Sequence, residues 1–252
     1  MKFIAIIPAR YASTRFPAKP LAMLGGKPVI QHVYERVSSI LDAVVATDDE
    51  RIYNVVKAFG GSVVMTSVEH RTGTDRCLEA YNNYGVEADV VINVQGDEPF
   101  IAEEQIRGLM QCFDNPQTDI ATLIKLFPAD TKYGVLSNPN TPKVIVNPHG
   151  QAIYFSRSVI PYLRGKNGDE WASLRTYYKH IGIYAYRIDV LNQITKMVQT
   201  PLELAESLEQ LRWLENGLTI QTAVTNIETI GIDTPEDLVK AEQFYRLQIK
   251  DV

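Results

Sequence analysis

The sequence predicts an α/β fold, a mostly parallel sheet flanked by helices with a smaller lobe that contains a β-hairpin. Three observations carry this. Short continuous apolar runs read as strands buried on both faces, amphipathic stretches of helical period alternate with them, and the rhythm changes near residue 127.

The elements follow in order. "FIAIIP" is a buried strand. In "PVIQHVYERVSSI", Val29, Val33 and Val37 share one helical stripe, and Pro28 is acceptable in the first turn. "AVVAT" is the second strand, and "ERIYNVVKAFGG" is a helix stopped by Gly60 and Gly61. The strand "SVVM", the helix "TDRCLEAYNNYG", the strand "DVVINV", the helix "AEEQIRGLMQCF" and the strand "DIATLIKL" continue the alternation. Beyond residue 127, "KVIVN-PHG-QAIYFS" reads as a hairpin turning at Pro148 and Gly150, and "KHIGIYAYR" as a further strand. Two helices, around "IDVLNQITKMV" and "LELAESLEQLRWLENG", precede the strand "LTIQTAV" and a last helix from Pro235. The expected organisation is one domain over residues 1–252 with the smaller lobe at approximately 128–190.

Composition narrows the function. At 45% hydrophobic and 22% charged, the chain is an ordinary globular one. A net charge of -5 disfavours general nucleic-acid binding, so any basic site is local. Cys77 and Cys112 lie far apart without metal-ligand spacing, as expected of thiols in a reducing cytosol. No apolar run approaches the roughly 20 residues that span a bilayer, so a cytoplasmic protein without membrane contact is expected.

The first strand runs into "RYASTRFPAKPL", which gathers Arg10, Arg15 and Lys19 where open α/β sheets bind their ligands. No G-x-G-x-x-G follows that strand, which disfavours the usual dinucleotide fold. A loop this long in a compact domain is usually functional. Arg10 offers a planar fork for phosphate oxygens, Lys19 a point charge, and Pro17 and Pro20 limit the freedom lost when a phosphate docks. A second strand end carries Gln95, Gly96 and Asp97, and "GIDTPEDL" sets Asp233 ahead of a helix that Thr234, Pro235 and Asp237 already cap. Two lone aspartates at strand ends suit magnesium bound with a nucleotide. Asp48, Asp49 and Asp75 read more simply as strand-end and helix-start residues.

These motifs, with "VATDDERI", "TSVEHRTGTDR", "VINVQGDEPFI", "AIYFSRSVIP" and "YKHIGIYAY", resemble the bacterial CMP-sugar synthetases, above all the branch acting on 3-deoxy-manno-octulosonate (Kdo). The resemblance covers nearly the whole chain. It implies a Rossmann-like nucleotidyltransferase that passes CMP from CTP to the anomeric hydroxyl of a 2-keto sugar acid. It further implies Mg2+ as cofactor and a homodimer. One departure is Ala18, where that family usually has glycine; a positive φ there would strain alanine.

The expected roles are these. Arg10, Lys19 and Asp97 act in catalysis. Ala9, Arg10, Arg15, Lys19, Arg76 and Gln95 meet the nucleotide, with Thr72 and Thr74 weaker because such hydroxyls usually close turns. Asp97 and Asp233 hold the metal by resemblance. For the sugar acid the candidates are Arg157 as a carboxylate fork, His180 and Tyr184 on one strand face with Tyr186, and Glu209 and Gln210 on a helix. Packing remains open for the tyrosines, as do a satisfied strand-end role for His180 and a solvated helix face for Glu209. Rival readings are a synthetase for 8-amino-Kdo or sialic acid, and a non-catalytic nucleotide-binding regulator, which would need no paired metal carboxylates.

Overall fold

The computed structural model describes all residues except Ser13, Thr14, Thr229, Asp251 and Val252, and also leaves aside the side chains of residues 248–250. In chain order the strands are β1 Phe3–Ala9, β2 Met23–Leu24, β3 Lys27–Pro28, β4 Ala43–Thr47, β5 Val63–Met65, β6 Val90–Asn93, β7 Ile120–Leu126, β8 Lys143–Val146, β9 Ala152–Ser156, β10 Tyr178–Arg187 and β11 Ile220–Val224. The helices are α1 Val29–Ser38, α2 Glu50–Ala58, α3 Gly73–Tyr84, α4 Glu103–Gln111, α5 Tyr133–Leu136, α6 Trp171–Leu174, α7 Ile188–Ile194, α8 Pro201–Glu206, α9 Glu209–Glu215 and α10 Pro235–Lys250. Among the described residues no helix is long and apolar enough to cross a membrane. The chain forms two compact units, residues 1–106 with 228–252 and residues 107–227. The second is wider than the lobe of approximately 128–190 read from the sequence.

In the first unit β6, β1, β4 and β5 lie side by side in that order, all parallel. Their apolar runs are continuous because both faces are covered: Ile4, Ala5, Ile6 and Ile7 are at most 1% exposed. The chain moves outward from β1 to β4 and β5, then returns through α3 to β6 on the other side of β1. The strand order therefore reverses between β1 and β6, which opens a crevice at their carboxyl ends. The hairpin β2–β3 packs under α10 in a cluster of Leu24, Val29, Phe100, Ile232 and Ala241.

In the second unit β7 pairs in parallel with β11 and antiparallel with β10, whose far end also takes β8 of the β8–β9 hairpin. The hairpin turns as expected, with Asn147 Oδ1 accepting from the N–H groups of His149 and Gln151 and with Gly150 at φ +75°. The stretch "LELAESLEQLRWLENG", expected as one helix, is broken into α8 and α9. Ser207 stands between them in the left-handed region at φ +50°. The break is held from outside the segment: Arg157 donates from Nε to the Glu206 carbonyl and from Nη2 to that of Ser207, while Ser156 Oγ and Arg157 N–H donate to the Glu206 carboxylate.

The long loop after β1 is folded back on itself. Ala18 N–H donates to the Tyr11 carbonyl at 2.9 Å, and Leu21 N–H to the Ala18 carbonyl at 2.8 Å, closing a short turn at Lys19–Leu21. Ala18 lies at φ +60°, ψ +16°, so the strain foreseen for alanine is present. A left-handed L-residue costs roughly 1–2 kcal/mol, and glycine gives back part of that through its larger loss of chain entropy. Ala18→Gly should therefore stabilise the protein by about 0.5–1 kcal/mol. Urea denaturation reads this as a higher midpoint at unchanged slope; an unchanged midpoint would mean that residue 18 carries no net strain.

Candidate active site

The crevice between the carboxyl ends of β1 and β6 is a cleft of about 390 Å³. Pro8, Ala9 and Arg10 form one wall and Gln95, Gly96 and Asp97 another, with Arg15 and Lys19 from the loop, Arg71 to Gly73 at the start of α3, Arg76, and Asp233. Five of these residues are basic, in a chain whose net charge is -5. Such a local excess favours a polyanion. Gly96 lets the two strand ends approach: a Cβ there would sit 2.6 Å from the Pro8 carbonyl oxygen, a backbone atom that cannot swing away.

Asp97 and Asp233 meet because the last segment of the unit is clipped to the β6 loop. Ile232 N–H donates to the Asp97 carbonyl at 2.9 Å. Thr234 and Asp237 then cap α10 reciprocally, Asp237 accepting from Thr234 N–H and Oγ1 and Thr234 Oγ1 from Asp237 N–H. As expected, that cap leaves Asp233 free for the cleft. Between the two carboxylates sits Lys19, whose Nζ donates to Asp97 Oδ2 and, at 3.1 Å, to Asp233 Oδ1. Burial works against this ammonium, but Asp97 and Asp233 outweigh it and hold the Lys19 pKa above the ordinary lysine value. Arg15 reaches the other oxygen of Asp233 at 3.0 Å from an exposed position.

A second charge cluster lies beside the first. Arg76, only 1% exposed, donates from Nη2 to Asp48 Oδ2 at 2.7 Å and from Nη1 to Thr66 Oγ1. The same Asp48 oxygen lies 3.5 Å from Arg10 Nε. Asp48 is thus more than the strand-end residue it resembles in the sequence: it neutralises a buried arginine and anchors Arg10, which is 44% exposed at the side chain. Asp49 stands at a helix start, as expected, and caps α2 by accepting from Arg51 N–H, while Thr72 caps α3 by accepting from Asp75 N–H. Sequence reasoning passed over Asp48 and Arg71. The signal for Asp48 was its place directly after β4, the neighbour of β1; for Arg71 it was a basic residue just ahead of a capped helix.

The proposed sugar residues all lie in the second unit. His180 is held against Thr122, its Nε2 and Thr122 Oγ1 3.0 Å apart, and burial pushes its pKa down to about 3. Tyr184 and Tyr186 stack, and Trp213 meets both edge-on. Burial, with Tyr186 and Glu209 nearby, pushes the Tyr184 phenol up. Glu209 accepts from Arg212, which also pairs with the buried Glu203. Gln210 is 3% exposed and among the described residues its Nε2 has no hydrogen-bond partner. In this structure Arg157 donates from Nε, Nη1 and Nη2 to the carbonyls of Glu206, Pro139 and Ser207.

Comparison with known proteins places the chain in a family. Residues 4–247 match the family model for cytidylyltransferases. A 3-deoxy-manno-octulosonate cytidylyltransferase of Phocaeicola vulgatus is 63% identical over 247 residues, 98% of each chain. One from Porphyromonas gingivalis is 57% identical over 97% of each. The solved structure of CMP:2-keto-3-deoxy-manno-octonic acid synthetase complexed with CTP is 43% identical, with a TM-score of 0.90 over 98% of this chain and 100% of that one. At 13% identity, 4-diphosphocytidyl-2C-methyl-D-erythritol synthase from Anaerococcus prevotii shares the fold alone, with a TM-score of 0.61 over 97% of this chain and 99% of that one. With a basic cleft at its strand switch and a family match over nearly its full length, this chain belongs to the cytidylyltransferase family.

Proposed function

We propose that the protein transfers CMP from CTP to the anomeric hydroxyl of Kdo, releasing pyrophosphate, as a step of lipopolysaccharide synthesis. The observation that carries this reading is the cleft itself, where basic side chains surround two carboxylates that already share one cation. Near-full-length relatives named for this reaction support the choice of sugar.

In this reading Arg10, Arg15 and Lys19 take the phosphate oxygens, and the capped start of α3 adds backbone N–H groups. Ala9 and Arg10 present main-chain groups to the cytosine, with Gln95 beside them. Asp48, itself held by Arg76, steadies Arg10, and Arg76 stands with Gln95 among the nucleotide-binding candidates. The sugar hydroxyl oxygen forms its bond to the α-phosphorus as the bond from that phosphorus to the α–β bridging oxygen of CTP breaks. That oxygen leaves with pyrophosphate, the hydroxyl proton passes to solvent, and charge on both fragments is met by fixed cations. Among the described residues no three or more His, Cys, Asp or Glu gather for a metal. Asp97 and Asp233 fit magnesium, which takes one or two carboxylates and completes its shell with phosphates and water. Bound there, magnesium would neutralise the transferring and leaving phosphates. Arg157, His180, Tyr184, Glu209 and Gln210 are proposed for the sugar acid, Arg157 for its carboxylate while its bonds to Glu206 and Ser207 tie it to the α8–α9 junction that presents Glu209 and Gln210. A cytoplasmic homodimer completes the proposal.

The deciding experiment is mass spectrometry of products from CTP with Kdo, 8-amino-Kdo and sialic acid. CMP-Kdo with pyrophosphate is expected, and preference for another acid would transfer the assignment to it. Asp97→Asn should abolish turnover with the fold intact, and Asp233→Asn should do so less completely; near-normal pyrophosphate release from Asp97→Asn at ordinary magnesium would sink the metal assignment. Gln210 gives a separate test. A buried donor without a partner costs about 1–3 kcal/mol, so removing it should not destabilise the free protein. Gln210→Met should leave thermal stability unchanged or higher and raise KM for Kdo roughly tenfold, the loss of about 1.4 kcal/mol, with KM for CTP unchanged. Lower stability with an unchanged KM would make Gln210 a packing residue.

A further inference from the structure

The arrangement at Lys19 assigns that residue a second role. We infer that in the nucleotide-free protein Lys19 is a built-in competitor of the divalent cation: it occupies the shared face of Asp97 and Asp233, and a metal is admitted only when a polyphosphate draws the ammonium away. The inference rests on the reading of these aspartates as metal ligands.

The geometry supports it. Lys19 Nζ contacts one oxygen of each aspartate, so one ammonium engages both carboxylates at once. Its side chain is 17% exposed and that of Asp97 21%, so this contact is partly shielded from solvent and from salt, while Asp233 is 45% exposed and its contact with Lys19 is held less firmly. Arg15 covers the outer Asp233 oxygen, but at 66% exposure its hold is weak. The loop keeps Lys19 in reach, because the Lys19–Leu21 turn and the Ala18 N–H to Tyr11 carbonyl bond fix its backbone. A cation arriving alone must therefore displace a charged, doubly bonded ammonium and leave it partly buried without those two partners. A cation arriving with a triphosphate meets no such cost, since phosphate oxygens replace the carboxylates as partners of Lys19. Cation and nucleotide binding are then positively coupled, and the coupling passes through one side chain.

The test uses Mn2+ as probe and reads binding by water-proton relaxation enhancement, which separates protein-bound Mn2+ from Mn2+ bound to CTP in solution. Without nucleotide, Lys19→Met should bind Mn2+ at least about tenfold more tightly than the wild type, while its activity falls. Adding Asp97→Asn to Lys19→Met should cancel the gain. Lys19→Gln, whose amide still donates to one aspartate, should fall between the two and serves if the methionine variant does not fold by circular dichroism. A folded variant that binds nucleotide-free Mn2+ no more tightly than wild type overturns the inference. The metal reading has its own arm: wild type with CTP should hold Mn2+ in a ternary complex that Asp97→Asn abolishes. If that complex forms normally in Asp97→Asn, the metal reading fails; if it behaves as expected but the lysine variants show no gain, the placeholder role alone fails.

Discussion

One ammonium, Lys19 Nζ, ties together parts of the chain that are 78 and 214 residues away in sequence. Without it, Asp97 and Asp233 would face each other as like charges in a half-enclosed cleft, an arrangement that costs free energy unless a cation intervenes. With it, the loop after β1, the end of β6 and the segment ahead of α10 are fixed at one point. The main chain prepares the meeting: Ile232 N–H bonds the Asp97 carbonyl, Gly96 yields space to Pro8, and the Thr234–Asp237 cap starts α10 in the right place.

The same logic runs through the neighbouring cluster. Arg76 is almost wholly buried, and a buried guanidinium needs a carboxylate and further acceptors. Asp48 and Thr66 supply them, and Asp48 has enough acceptor capacity left to steady Arg10. The cleft therefore holds its cations in place before any anion arrives, which is the preorganisation that phosphate transfer requires.

What the sequence revealed and what it hid follow from the range of the interactions. The alternation of strands and helices, the β8–β9 hairpin turning at Gly150 and the cap at Thr234 depend on neighbours in sequence and were legible. The loop charges and Asp97 were legible as candidates because they follow strand ends, and Asp233 because it precedes a helix that Thr234 and Asp237 already cap; the strand end expected before Asp233 is absent among the described residues, since β11 closes at Val224. The break at Ser207 was hidden, since Arg157, 50 residues away, imposes it against a good helical pattern. Asp48 was hidden for the same reason: its partners Arg10 and Arg76 come from two other elements, and its sequence context reads as an ordinary strand end. The occupation of Arg157 by three carbonyls was likewise invisible to residue type and spacing alone.

The origin of Asp233 has a consequence for how the enzyme matures on the ribosome. More than half of the chain lies between Asp97 and Asp233, and translation adds about 5–20 residues per second. During that interval of about ten seconds the nascent chain can hold its parallel strands and the Lys19–Asp97 pair while the second partner of Lys19 is still missing. The junction at Lys19 is complete only once the segment ahead of α10 has been made and Ile232 has docked on the Asp97 carbonyl. A chain made only as far as β6 holds Lys19 by one carboxylate instead of two.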